Sequence, residues 1–170
     1  YGQMLEPPGN GILHGGGRLG PSGWDDFDQY SSLLLERRPT LTVAWLRLNS
    51  ERIHEFFASL NAHLLRHADT SLIPQIGLMM NDTEEPSGHY EQEIAAGKLD
   101  ERLHTLGHHL NQLERPVFLR IGFACNGEWN NYDAGQYRNA FQHVRSTLRT
   151  EYPKLKSRIA FVWSFAPAGA

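Results

Sequence analysis

The sequence predicts an α/β fold, the first five strands of a (β/α)8 TIM barrel, on three observations. Strand-like and helix-like segments alternate along the 170 residues. The strand-like segments are apolar almost throughout, as expected of a parallel sheet covered by the helices of right-handed crossovers. Polar and aromatic residues gather where these segments finish, the face on which barrel active sites form.

"GILHGGG", Gly11 to Gly17, is a short apolar run leading into a glycine-rich turn, and "PTLTVAWLRLN", Pro39 to Asn49, is a longer run of Val, Thr, Trp and Leu; these are the first two strands. A helix follows in "SERIHEFFASLNAHLLRH", where Ile53, Phe56, Phe57, Leu60 and Leu64 recur at helical spacing behind Ser50, a residue suited to capping. "SLIPQIGLMMND" is the third strand. "GKLDERLHTLGHHLNQLERP" carries Leu99, Leu103, Leu106, Leu110 and Leu113 on one helical face and stops before Pro116, whose ring disfavours helix in the preceding residue. "VFLRIGFACNGEWNNYD", Val117 to Asp133, opens as the fourth strand. "AGQYRNAFQHVRSTLRTEY" is an amphipathic helix through Tyr137, Phe141, Val144 and Leu148, and "RIAFVWSF" is the fifth strand.

A doubly wound open sheet is the competing architecture. It would require a phosphate loop, and "LHGGGRLG" lacks the G-x-G-x-x-G spacing with an acidic residue about 20 positions on, so it reads as a tight turn. The barrel is favoured because His14, Asn49, Asn81 with Asp82, Asn126 to Trp129, and Trp163 all fall at the carboxyl ends of their segments. A complete barrel takes about 250 residues and eight strands. Residues 1–170 are therefore expected to form the amino-terminal part of one catalytic barrel with no second domain; the alternative is an open sheet whose edge is covered by another copy or a partner.

Net charge is −3 and 40% of residues are apolar, with no block of like charge and no apolar run of about 18 residues. Nucleic-acid binding and membrane insertion both lack a footprint, and the expected partner is small or neutral. The single cysteine excludes an intrachain disulfide framework.

"NGEWNNY" brings Asn126, Glu128, Trp129, Asn130, Asn131 and Tyr132 together, and Trp163 arrives from the next strand end. That mixture suits a sugar, whose apolar faces stack on aromatic rings while its hydroxyls pair with amides and carboxylates. The candidate substrate-binding residues are Asn126, Trp129, Asn130, Tyr132 and Trp163, with His14 from the first strand and Tyr90 in the acidic loop "NDTEEPSGHYEQE". That loop reads equally as a solvated linker. His63 with His67, and His104 with His108, are i, i+4 pairs able to present two imidazoles to a metal. Neither has a third ligand nearby in sequence, and each lies on a helix whose apolar face is already complete, so both read as solvated positions and no metal or other cofactor is expected. Cys125 has no accompanying Cys-His motif and reads as a small buried residue.

The stretch "RPVFLRIGFACNGEWNNYDAGQYRNAFQHV", with "IAAGKLDERL" before it and "IAFVWSFAP" after it, resembles the middle of a glycoside hydrolase barrel of the family 26 type, over roughly Ile12 to Pro167. The resemblance implies a retaining β-glycanase acting on internal bonds of β-mannan, β-1,3-xylan or mixed β-glucan. It also implies an acid/base glutamate on the fourth strand, a nucleophile on the seventh beyond Ala170, and a secreted or periplasmic setting. Arg120, Gly127 and Trp129 match the fourth-strand pattern, but Ala124 stands where the glutamate is expected, with Phe123 before it. Three explanations stay open. Alanine replaces a catalytic glutamate by design; the chain is a non-catalytic relative that binds glycans; or Glu128, four residues on and past a glycine, supplies the acid.

Overall fold

The computed structural model describes residues 5, 12–17, 24–34, 37–82, 88–122 and 124–166. Gly11 and Arg18 to Gly20 of the glycine-rich segment, residues 83–87 of the acidic loop, Phe123 and Pro167 lie outside the described residues.

Five strands, β1 (Gly15–Gly17), β2 (Leu41–Arg47), β3 (Ile73–Met79), β4 (Val117–Ile121) and β5 (Ile159–Val162), make one parallel sheet in the spatial order β1-β2-β3-β4-β5. The α/β expectation holds, and the described residues form one open five-stranded sheet; a complete barrel is not shown. Spatial order equal to chain order carries information. Right-handed crossovers that always step in the same direction put every helix on one face, whereas a doubly wound sheet reverses direction and covers both.

Burial follows this rule. The row Ala44, Ile76, Leu119 faces the helices, as does the row Leu46, Leu78, Ile121, and all six are buried. They join one core with Ile53, Phe57, Leu60 and Leu64 of α2 (Ile53–Arg66), Leu103, Leu106 and Leu110 of α4 (Asp100–Gln112), and Tyr137, Ala140, Val144 and Leu148 of α5 (Ala134–Glu151). The opposite face presents Val43, Gln75, Phe118 and Ala160 in one row and Trp45, Gly77, Arg120 and Val162 in the next. Burial alternates along β2 and β4, because every described helix packs on one side. Trp45 lies flat on this second face, and a Cβ at Gly77 would meet its ring at 2.1 Å. The Arg120 guanidinium sits 5.8 Å from the centre of the same ring.

Other details depart from the sequence reading. The glycines Gly15 to Gly17 are β1 itself, pairing with Leu41 to Val43, rather than a turn after it. His14 accordingly lies at the amino end of the sheet, where its carbonyl accepts from the amides of Thr40 and Leu41. Its placement at a carboxyl strand end is corrected: backbone pairing needs no side chain, so three glycines can extend a strand that apolar patterning cannot reveal. Ser50 accepts from the amide of Arg52 at 3.0 Å in the turn before α2 and is not its cap. Two helices escaped the pattern. α1 (Asp25–Leu33) opens on Asp25, Asp26 and Asp28, and its one buried residue is Phe27, while α3 (Glu91–Ala95) is only five residues long and begins at the end of the acidic loop.

One-sided packing has a measurable consequence in the 170-residue chain. Ile76→Ala, in the fully buried row, is expected to cost about 2–5 kcal/mol in urea unfolding. Val43→Ala, one strand away on the other face, is expected to cost under about 1.5 kcal/mol. Equal losses would mean that both faces are packed.

Candidate functional site

The loop after β4 begins under backbone strain. Gly122 has φ of +51° and Ala124 of +52°, and a Cβ at Gly122 would strike the Met80 side chain at 2.4 Å and the Tyr137 ring at 2.7 Å. Alanine in the left-handed region costs about 1–2 kcal/mol, a strain more often found at functional sites than elsewhere. The strained turn is held by its carbonyl: Ala124 O accepts from Gly127 N at 2.8 Å and from the buried Asn130 Nδ2 at 2.8 Å. Asn130 Oδ1 in turn accepts from Asn81 Nδ2 at 3.0 Å, which ties the loop to the end of β3.

Several expected binding residues are occupied by this scaffolding. Asn130 is 4% exposed, and its amide bonds to Ala124 and Asn81 within the loop scaffold. Asn126 bonds through both amide atoms to the backbone of Ala166, Nδ2 to O at 3.1 Å and N to Oδ1 at 2.7 Å, and so clips this loop to the chain after β5. Tyr90 is buried, its hydroxyl donates to Met79 O at 2.7 Å, and burial raises its pKa. Tyr132 is half-buried and stacked on Tyr137 with centroids 5.7 Å apart. Burial, reinforced by the nearby Glu91 charge, pushes its pKa up to about 12.

Trp129, 54% exposed, remains as a free aromatic surface. Its ring folds across Gly127, where an added Cβ would sit 2.6 Å from it, so the Gly-x-Trp spacing is a packing requirement. Glu128 is exposed beside it. Trp163 is equally exposed, but one face leans on Phe165 (5.5 Å), Phe141 (5.7 Å) and Tyr137 (6.4 Å), and its indole N–H points at Cys125 Sγ, 3.3 Å away. Cys125 is partly buried. On the opposite face of the sheet, Arg120 Nη2 donates to Ser164 Oγ at 2.7 Å, joining the ends of β4 and β5, and burial lowers its pKa.

One buried carboxylate at this end was not visible in the sequence. Glu91, 1% exposed, accepts from Asp133 N at 3.0 Å and from His89 Nδ1 at 2.9–3.0 Å. A carboxylate on Nδ1 requires the hydrogen there, and the His89 side chain is partly exposed. In sequence the pair sits inside an acidic loop that looks solvated. Of the two histidine pairs, His104 is exposed and paired with Glu151 at 2.5 Å. The solvated reading of His63 is corrected: it is fully buried, and burial with the neighbouring His67 pushes its pKa down to about 4.

No protein-family model matches the chain. Over 75 residues, 44% of this chain, it is 29% identical to the β-1,3-xylanase TXYA of a Vibrio species. Over 58 residues, 34% of this chain, it is 31% identical to a β-1,3-xylanase of an Alcaligenes species. The aligned segments are 16% and 12% of those proteins, so the chain matches a small part of each. The chain is thus similar in part to glycan hydrolases.

Two outcomes test the division between scaffold and surface. Asn130→Ala is expected to cost about 1–3 kcal/mol, the range for stranding buried polar partners, whereas Trp129→Ala should cost under about 1 kcal/mol; denaturant titration of both variants measures the difference. Stability should also fall between pH 10 and about 12, since unfolded Tyr132 ionises at its ordinary value of 10.0 and folded Tyr132 at about 12. Alkaline unfolding followed by near-ultraviolet circular dichroism, compared with Tyr132→Phe, reads that slope.

Proposed function

We propose that the chain is the amino-terminal part of a (β/α)8 barrel of the family 26 type that hydrolyses internal bonds of a β-1,3-linked xylan with retention, and that Ala124 occupies the acid/base position. The observation that carries this reading is the strained turn at the end of β4, with Ala124 at +52° and Trp129 seated across Gly127. The sequential strand order supports the barrel, and the partial likeness to two β-1,3-xylanases favours xylan among the β-glycans.

A retaining glycosidase protonates the leaving oxygen with one carboxyl group and attacks the sugar with a second about 5–5.5 Å away. A side chain at position 124 stands at the carboxyl end of the sheet, with Arg120 and Ser164 on the inner face nearby and Trp129 offering a ring for a sugar in the adjoining subsite. A methyl group there cannot donate a proton. With alanine there, the chain as written is expected to hold a glycan without turning it over, whether the alanine is native to a carbohydrate-binding relative or replaces the glutamate of the hydrolysing protein.

Ala124→Glu in a protein that includes the remaining strands is expected to raise turnover on β-1,3-xylan about 10²- to 10⁴-fold, the usual contribution of a positioned general acid. An aryl xyloside with a good leaving group should respond far less in the glycosylation step. Unchanged turnover on both substrates would remove position 124 from the reaction and leave a glycan-binding module. In either case Trp129→Ala is expected to weaken retention on insoluble β-1,3-xylan by about 5- to 30-fold, the scale of one stacking contact.

A further inference from the structure

At the amino end of the sheet, away from the β4 loop, three side chains from two helices converge. Asp28 comes from α1, and His63 and His67 lie one turn apart on α2. One donor atom from each falls within 4.8 Å of the others. We propose that Asp28, His63 and His67 form a three-ligand site for a divalent transition metal of the zinc class, which fastens α1 to α2.

The buried histidine carries the argument. His63 Nε2 lies 3.1 Å from Thr42 Oγ1, while its Nδ1 is buried with no hydrogen-bond partner and lies 3.9 Å from Asp28 Oδ1. With the ring hydrogen on Nε2, held by Thr42, the Nδ1 lone pair confronts a carboxylate oxygen, and two acceptors facing each other are stabilised only by a cation between them. With the hydrogen on Nδ1, 3.9 Å is too long for a hydrogen bond. As the side chains stand, neither tautomer gives Nδ1 a partner, and a cation held between Nδ1 and Oδ1 would supply one. Thr42 then stands where outer-shell partners of metal-bound histidines stand, fixing the ring and its tautomer.

The remaining geometry suits such an ion. His67 Nε2 is 2.7 Å from Asp28 Oδ1. Ligand bonds of about 2.0–2.1 Å in a tetrahedron put neighbouring donors about 3.3 Å apart, within reach of small side-chain rotations. The His63 ring is clamped flat against Trp24, centroids 4.0 Å apart, and edge-on to Phe27 at 4.9 Å, and Phe27 also meets His67 at 5.3 Å. Trp24 is itself pinned through Nε1 to Ser59 Oγ. Arg66 holds the other carboxylate oxygen, Asp28 Oδ2, at 3.2 Å, so Oδ1, which faces both His63 and His67, is the oxygen an ion would take in place of the His67 contact. The side chains of Asp28 and His67 are partly exposed, which gives the ion a path in and a fourth position for water.

The chain is dialysed against a chelator and titrated first with Co²⁺, read by visible absorption, then with Zn²⁺ as competitor. One equivalent is expected to bind, and saturating Zn²⁺ should raise the unfolding midpoint. Asp28→Asn, which keeps an acceptor for His67, and His67→Gln should each weaken binding at least 10-fold, and Thr42→Val about 10- to 100-fold. Circular dichroism of the metal-free variants confirms that they are folded, and the two exposed-ligand variants keep the test intact should Thr42→Val unfold. His54→Gln is the control, because His54 Nδ1 and His109 Nε2 approach to 2.8 Å on the surface with His108 alongside. Absence of saturable binding, binding unaltered by both Asp28→Asn and His67→Gln, or loss of binding in His54→Gln alone would each overturn the assignment.

Discussion

Parallel pairing in strict chain order aligns Trp45, Gly77, Arg120 and Val162 in one row and Ala44, Ile76 and Leu119 in a neighbouring row of opposite orientation, and this register governs the rest of the molecule. A slip of one residue in any strand would exchange core and open faces. It would carry Leu119 out of the helix layer and bring the Arg120 guanidinium in, at a desolvation cost that nothing there offsets. Because the strands are parallel and lie in chain order, their carboxyl ends share one edge of the sheet, and the loops after β3, β4 and β5 become neighbours.

At that rim, polar residues divide between building the loop and facing outward. Asn81, Asn126 and Asn130 hold the β4 loop to its two flanking strands, and Glu91 receives the Asp133 amide at the start of α5. These bonds maintain two non-glycine residues in the left-handed region, Ala124 and Asn131, a conformation that side chains disfavour. Rigidity of this kind is what a sugar subsite or a proton donor requires, since misplacement of about an ångström already costs rate. Trp129 then projects from a fixed base.

The two ends of the sheet differ in kind. The carboxyl end carries exposed aromatics on a strained loop, whereas the amino end carries a buried imidazole between two helices, with Trp24 and Phe27 against it. In a barrel, residues at the carboxyl face are read as function and those at the amino face as stability. α1 has few apolar residues, only Phe27 among them being buried, so its attachment depends on the polar contacts that Asp28 makes with α2.

The sequence alone determined the alternation of elements, the faces of α2, α4 and α5, and the position of a loop rich in amides and aromatics, because periodic burial of Leu, Ile, Phe and Val is written directly in residue spacing. It did not reveal β1 as a glycine strand, nor α1 with its acidic first turn, since neither depends on an apolar stripe. The fate of polar side chains was decided by tertiary structure. Asn126, Asn130 and Tyr90 look like ligand contacts in a list of residues, and Glu91 and His63 look solvated, until chain segments far apart in sequence supply their partners. Hydrophobic burial is a property of one segment's pattern, whereas hydrogen bonding is a property of pairs, and the second member of each pair is brought near only by the fold.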